Sequence, residues 1–108
     1  MYELRIAQAA KEDLILIAQY GDENFGVAQS DRYRDQLKQR FYILSGQPFL
    51  YPSVSHIRKG YRRSVCGVHS IYYRIENKTV EIVRVLGRQD TTYFNKTVFI
   101  LSLVRTIK

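Results

Sequence analysis

Between Gly60 and Asp90 the chain reads GYRRSVCGVHSIYYRIENKTVEIVRVLGRQD, and this stretch constrains the fold most tightly. It divides into three runs of β-prone residues, 62–67, 68–76 and 80–86, separated at Gly67 and at Glu76-Asn77-Lys78. Breaks this short join antiparallel neighbours, so the segment predicts a three-stranded meander. In the second run, His69, Ile71, Tyr73 and Ile75 make the more apolar face, opposite Val68, Ser70, Tyr72 and Arg74. In the third, Val80, Ile82, Arg84 and Leu86 alternate with Glu81, Val83 and Val85. Apolar residues on both sides of a strand predict a central strand, covered on one face and partly covered on the other.

Upstream, YELRI alternates Tyr2, Leu4 and Ile6 with Glu3 and Arg5, which predicts a half-buried strand. Residues 8–24 then carry Ala10, Leu14, Ile17 and Ala18 at helical spacing, with Glu12 and Asp13 placed to complement the positive end of a helix dipole. Phe25-Gly26 interrupts the pattern. Residues 27–45 resume it with Tyr33, Leu37, Phe41 and Leu44, and Gly46 with Pro48 ends it. Two helices joined by so short a break predict an antiparallel hairpin. Each also carries four successive apolar residues, Leu14 to Ile17 and Phe41 to Leu44, more than one core-facing stripe requires. Packing of helix on helix and a docking groove for a partner both account for the surplus. The fold class is therefore α+β, with order β-α-α-β-β-β and a helical hairpin on a small, mainly antiparallel sheet.

Charge is unevenly placed. Residues 1–54 hold six Lys/Arg against seven Asp/Glu, whereas residues 55–108 hold eleven against three. The net +7 thus resides in the back half, where Arg58, Lys59, Arg62 and Arg63 fall within six positions. Such asymmetry points to an acidic partner, nucleic acid or protein. The single Cys66 precludes an internal disulfide and suits a reducing compartment; on a strand it reads as a small core residue. With only His56 and His69 beside it, a zinc site lacks ligands, so no metal is expected. No signal peptide is expected, since Glu3 and Arg5 interrupt the N-terminus, and the longest uncharged apolar run, residues 98–104, is far short of the roughly 20 residues that span a bilayer. A cytoplasmic protein without membrane attachment is the expectation.

Several elements match a family pattern in order and spacing. They are Ala10…Asp13-Leu14…Ile17…Tyr20, then Phe25-Gly26, then Tyr33…Leu37…Phe41…Leu44…Pro48. Gly60-Tyr61-Arg62-Arg63 follows, then His69-Ser70-Ile71-Tyr72-Tyr73-Arg74, then Ile82-Val83-Arg84-Val85-Leu86 with Asp90. Over residues 1–90 the chain resembles a ParE-type toxin of the RelE/ParE superfamily, from bacterial type II toxin–antitoxin systems. Two features depart from the pattern. Gly87 stands where the family often has histidine, and residues 91–108, TTYFNKTVFILSLVRTIK, extend past its usual end. The β-prone run 98–104 in that extension is an aggregation signature if exposed, and an edge strand or a covering helix accounts for it equally.

The resemblance implies two chemistries. ParE-like members are not nucleases and act on DNA gyrase, trapping its cleaved-DNA state; such proteins serve plasmid stabilisation and growth inhibition. RelE-like members cut messenger RNA in the ribosome, which requires cations to hold phosphate and a group to move protons. Arg63, Arg88 and Tyr93 would carry the nuclease role here. Tyr72-Tyr73-Arg74 favours the ParE side, as does Lys59 beside Arg58 where RelE-like nucleases tend to carry two lysines. The leading expectation is a non-enzymatic gyrase inhibitor with no cofactor. Its target surface would be Arg58, Lys59, Arg62, Arg63, Arg84 and Arg88. Ile15, Leu16 and Tyr42 would contact the acidic C-terminal segment of a ParD-like antitoxin, giving a toxin–antitoxin hetero-oligomer. A degenerate toxin that only binds its antitoxin is the third reading. Arg74 is expected to pair with Glu76 or Glu81, and His69 to be structural.

Overall fold

A computed structural model describes residues 1–87 of the chain. The elements run β1 (Glu3–Ile6), α1 (Gln8–Phe25), α2 (Val27–Gly46), β2 (Tyr61–Cys66), β3 (His69–Glu76) and β4 (Thr79–Gly87). The sheet order is β1-β4-β3-β2. β4, β3 and β2 form the antiparallel meander expected from the sequence, and β1 lies parallel to β4, pairing Glu3 with Thr79 through Ile6 with Ile82. Gly26, at φ 85°, lets the chain reverse between the helices. Gly21 lets them approach closely: a Cβ there would lie 2.6 Å from Ser30 Oγ.

The helical hairpin covers one face of the sheet. Ala10 of α1 and Leu37, Phe41 and Leu44 of α2 bury against Ile71, Tyr73, Val80, Ile82 and Val85, with Leu14, Ile17 and Tyr33 packed on the same cluster. A smaller second core lies on the other face, where Val54 and Ile57 from the segment preceding β2 cover Tyr61, Tyr72, Val83 and Leu86. The double-faced pattern of β3 and β4 has this cause.

Three details differ from simple alternation. The register passes from Tyr72↔Arg84 to Tyr73↔Ile82, so Val83 is an extra residue, a β-bulge. Beyond it the faces exchange: Val85 joins Val80 and Ile82 beneath the helices, and Leu86 joins Val83 on the far side. On β1, Tyr2 and Ile6 enter the core but Leu4 remains 38% exposed. Finally, α1 begins at Gln8 and has no acidic residue in its first turn, so Glu12 and Asp13 lie too far along to neutralise the helix dipole. Asp13 is used differently. β1 flanks β4 only as far as Ile82, and beyond that point Asp13 Oδ2 takes the Val85 N–H at 2.9 Å and the Arg84 Nε at 2.8 Å, while Oδ1 takes Arg84 Nη2 at 2.9 Å. One carboxylate thus closes the exposed edge of β4 and ties α1 to it.

Candidate functional site

Two surfaces stand apart from the cores, one basic and one apolar. The basic one is built on β2, an edge strand. Residues 52–54 run antiparallel to its first half: Val54 N–H donates to Tyr61 O (2.8 Å), Arg63 N–H donates to Pro52 O (3.1 Å), and Ser53 bridges Arg62. The chain between them turns through Arg58 and Lys59 and re-enters the strand after Gly60, whose φ of 84° sharpens the turn. Arg62 and Arg63 are successive strand residues and therefore leave by opposite faces, opposite Tyr73 and Tyr72 respectively. Arg62 is fixed in place, with Nη1 donating to Tyr51 O at 2.7 Å and its guanidinium 5.1 Å from the centre of the Phe49 ring. Phe49 and Leu50 beside it are 60% and 58% exposed. Among the described residues, no carboxylate comes within 4.0 Å of Arg58, Lys59, Arg62 or Arg63.

The other arginines of the meander are occupied. Arg84 holds Asp13 as described, and its side chain is only 17% exposed. Arg74 Nε donates to Glu81 Oε1 at 2.7 Å, with Glu76 further off at 3.9 Å, as the sequence led us to expect. That hydrogen bond, opposed by burial, holds the Arg74 guanidinium above its usual range. Arg5 of β1 reaches the second oxygen of Glu81 at 3.3 Å, so one carboxylate links β1 and β3 across β4. Arg58, Lys59, Arg62 and Arg63 thus lie along one edge ridge of the sheet, the two strand arginines on its opposite faces, whereas Arg84 is set into the framework. Arg88 and Tyr93 lie outside the described residues.

The apolar surface is a groove of about 640 Å³ at the turn end of the helical hairpin, lined by Leu16, Tyr20, Phe25, Tyr33, Val68 and His69 among others. Its floor is a polar junction that the sequence did not announce. The Tyr33 hydroxyl accepts the Val68 N–H at 3.2 Å, donates to Cys66 O at 3.1 Å and lies 2.6 Å from His69 Nδ1. Which of the Tyr33 hydroxyl and His69 Nδ1 donates across that contact is set by the imidazole tautomer. Burial pushes the Tyr33 phenol up, against the downward pull of the Val68 N–H. The junction clamps the β2–β3 turn to α2, and Gly67 (φ 59°) is required within it because a Cβ would lie 2.6 Å from the Tyr33 ring. His69 is thereby held as a structural residue. Leu16 lines the groove; Ile15 and Tyr42, 56% and 55% exposed, lie on the helical surface outside it. Tyr20, Phe25, Val27 and Ile43 are exposed as well, so the surplus apolar residues of both helices face outward. Among the described residues, no group of three or more His, Cys, Asp or Glu is placed to hold a metal, and no helix is long and apolar enough to cross a membrane.

A helical hairpin on a four-stranded mixed sheet, with a basic edge that meets no carboxylate among the described residues and an exposed apolar helix surface, defines a small α+β protein. A solved structure titled "Chromosomal ParDE TA system from P. aeruginosa" has this fold, with a TM-score of 0.68 at 20% identity over 81% of this chain and 96% of that one. The family model described as "ParE toxin of type II toxin-antitoxin system, parDE" matches residues 4–91. Toxin ParE1 of Caulobacter vibrioides is 34% identical over 86 residues, covering 80% of this chain and 88% of the relative. Toxin ParE1 of Mycobacterium tuberculosis is 29% identical over 68 residues, or 62% and 69% of the two chains. The chain belongs to the ParE toxin family of type II toxin–antitoxin systems.

Proposed function

We propose that the protein inhibits DNA gyrase without chemistry of its own, stabilising the cleaved-DNA state, and that a ParD-like antitoxin neutralises it. The observation that carries the target half is the ridge of Arg58, Lys59, Arg62 and Arg63, cations without a carboxylate partner among the described residues, while Arg74 and Arg84 are paired. An unpaired cation held near a surface retains its full attraction for an external anion. Arg63 serves the same surface from the far face of β2, and Arg88 is assigned to it by sequence alone.

The antitoxin half rests on the apolar helix surface. Leu16, Ile15 and Tyr42, with Tyr20 and Phe25, offer anchors for an amphipathic segment, and exposed apolar surface of this kind ordinarily marks a contact site. An acidic segment would also match the chain's net charge of +7. Domain limits of 1–90, with 91–108 as an extension, belong to the same reading.

The test is expression in bacteria with and without the cognate antitoxin. Gyrase-dependent double-strand breaks, suppressed by the antitoxin and by a drug-free gyrase variant selected for resistance, are expected. Messenger cleavage within translating ribosomes, abolished by Arg63→Ala or Tyr93→Phe, would replace this reading with the nuclease one. Antitoxin binding without either effect would leave a degenerate toxin.

A further inference from the structure

We propose that the β2 ridge is itself a duplex DNA-binding site, one that grips the phosphate backbone directly rather than only through gyrase. The charge pattern is of one sign over an unusual length: residues 36–75 contain no Asp or Glu and seven Lys/Arg. The ridge sits within this stretch, and none of its four cations is neutralised by a described carboxylate. A protein partner is ordinarily met by charges of both signs that fix its register; an acid-free surface suits a polyanion.

Shape narrows the ligand further. Residues 52–54 add a short outer strand to β2, which pairs with β3 on its other side, so the four cations stand at the edge of the sheet. Arg62 and Arg63 leave opposite faces of this edge, so the pair can straddle a phosphate backbone, while Arg58 and Lys59 stand at the turn ahead of them. Arg62 is pre-positioned by Tyr51 O and the Phe49 ring, leaving part of its guanidinium fork for a phosphate. Nothing in the arrangement reads base edges, so binding is independent of sequence.

This site deepens the target-facing reading above, and the assay contains no gyrase, so failure of one is separable from failure of the other. The full chain is titrated into a short fluorescein-labelled DNA duplex and followed by anisotropy at salt concentrations between about 50 and 200 mM. Four phosphate contacts give a log–log salt slope of about −3.6, a loss of roughly 150-fold over that range. Arg58→Ala/Lys59→Ala should bring the slope to about −1.8, with unchanged circular dichroism, and Lys11→Ala on α1 should leave it as it was. Absence of duplex binding at about 50 mM salt would overturn the proposal. So would a slope unaltered in the double variant, or tighter binding to a single-stranded RNA of the same sequence. Loss of gyrase capture by Arg58→Ala/Lys59→Ala, with no duplex binding by the parent protein, would assign the ridge to protein instead.

Discussion

Replacing Asp13 by alanine should be the most damaging single change on the surface of α1. The carboxylate accepts three hydrogen bonds, from Arg84 Nε (2.8 Å), Arg84 Nη2 (2.9 Å) and Val85 N (2.9 Å), and the two side chains are 11% and 17% exposed. Breaking a buried ion pair by removing one partner costs about 3–5 kcal/mol. The partial exposure lowers that figure, and the better helix propensity of alanine returns about 0.5 kcal/mol. A net loss of about 3 kcal/mol is expected, set against a total of roughly 5–15 kcal/mol for a domain. Urea denaturation reads it directly, and Tm should fall by roughly 10–20 °C. Asp13→Asn retains an acceptor for the Val85 N–H and should lose about 2 kcal/mol. In the double-mutant cycle, Asp13→Ala/Arg84→Ala should cost less than the sum of the single changes by roughly 2 kcal/mol. Additivity within about 0.5 kcal/mol, or a loss under about 1 kcal/mol for Asp13→Ala, would refute the assignment of this pair as the clamp between α1 and β4.

Other outcomes follow from the same geometry. Tyr33→Phe removes a hydroxyl that serves Val68, Cys66 and His69 and should destabilise by about 1–3 kcal/mol in urea. Gly67→Ala should do comparable damage, because the new Cβ meets the Tyr33 ring at positive φ; stability equal to the parent would contradict the junction. Burial pushes the Tyr73 phenol up to about 12 from 10.0, so folding retains a proton that the unfolded chain releases. That contribution is complete below about pH 10 and is lost as pH rises toward about 12. Absorbance at the tyrosinate band should therefore show Tyr73 ionising together with loss of helical circular dichroism; ionisation of all nine tyrosines in a folded protein would contradict it. Leu16→Glu places a charge on the groove wall and should weaken antitoxin binding at least tenfold by calorimetry, while gyrase inhibition persists; simultaneous loss of both would mean the two surfaces are not separate.

The sequence disclosed elements more readily than their fine geometry. Strict alternation and helical spacing set all six elements to within about two residues, because Gly26, Gly67 and the Asn77 turn punctuate them unambiguously. The bulge at Val83 was not legible: no glycine marks it, and alternation read straight through put Leu86 on the wrong face. The role of Asp13 was hidden for a related reason, since it depends on where β1 stops alongside β4, 71 residues away in the chain from its partner Arg84. Conversely, Arg74 found the partner predicted for it, because cross-strand neighbours follow directly from the meander register. The basic cluster was visible as a run of letters, but only the fold separates its cations, which meet no carboxylate among the described residues, from Arg84, which holds Asp13. The Tyr33–His69 contact joins a helix to the start of β3, 36 residues on, which no local pattern encodes.

The most direct test of the central claim is a plasmid supercoiling and cleavage assay with purified DNA gyrase, with and without ATP. Trapped linear DNA or lost supercoiling is predicted for the parent protein, with the effect removed by excess antitoxin and reduced by Arg58→Ala/Lys59→Ala. Full supercoiling and no linear product from well-folded protein would contradict the account.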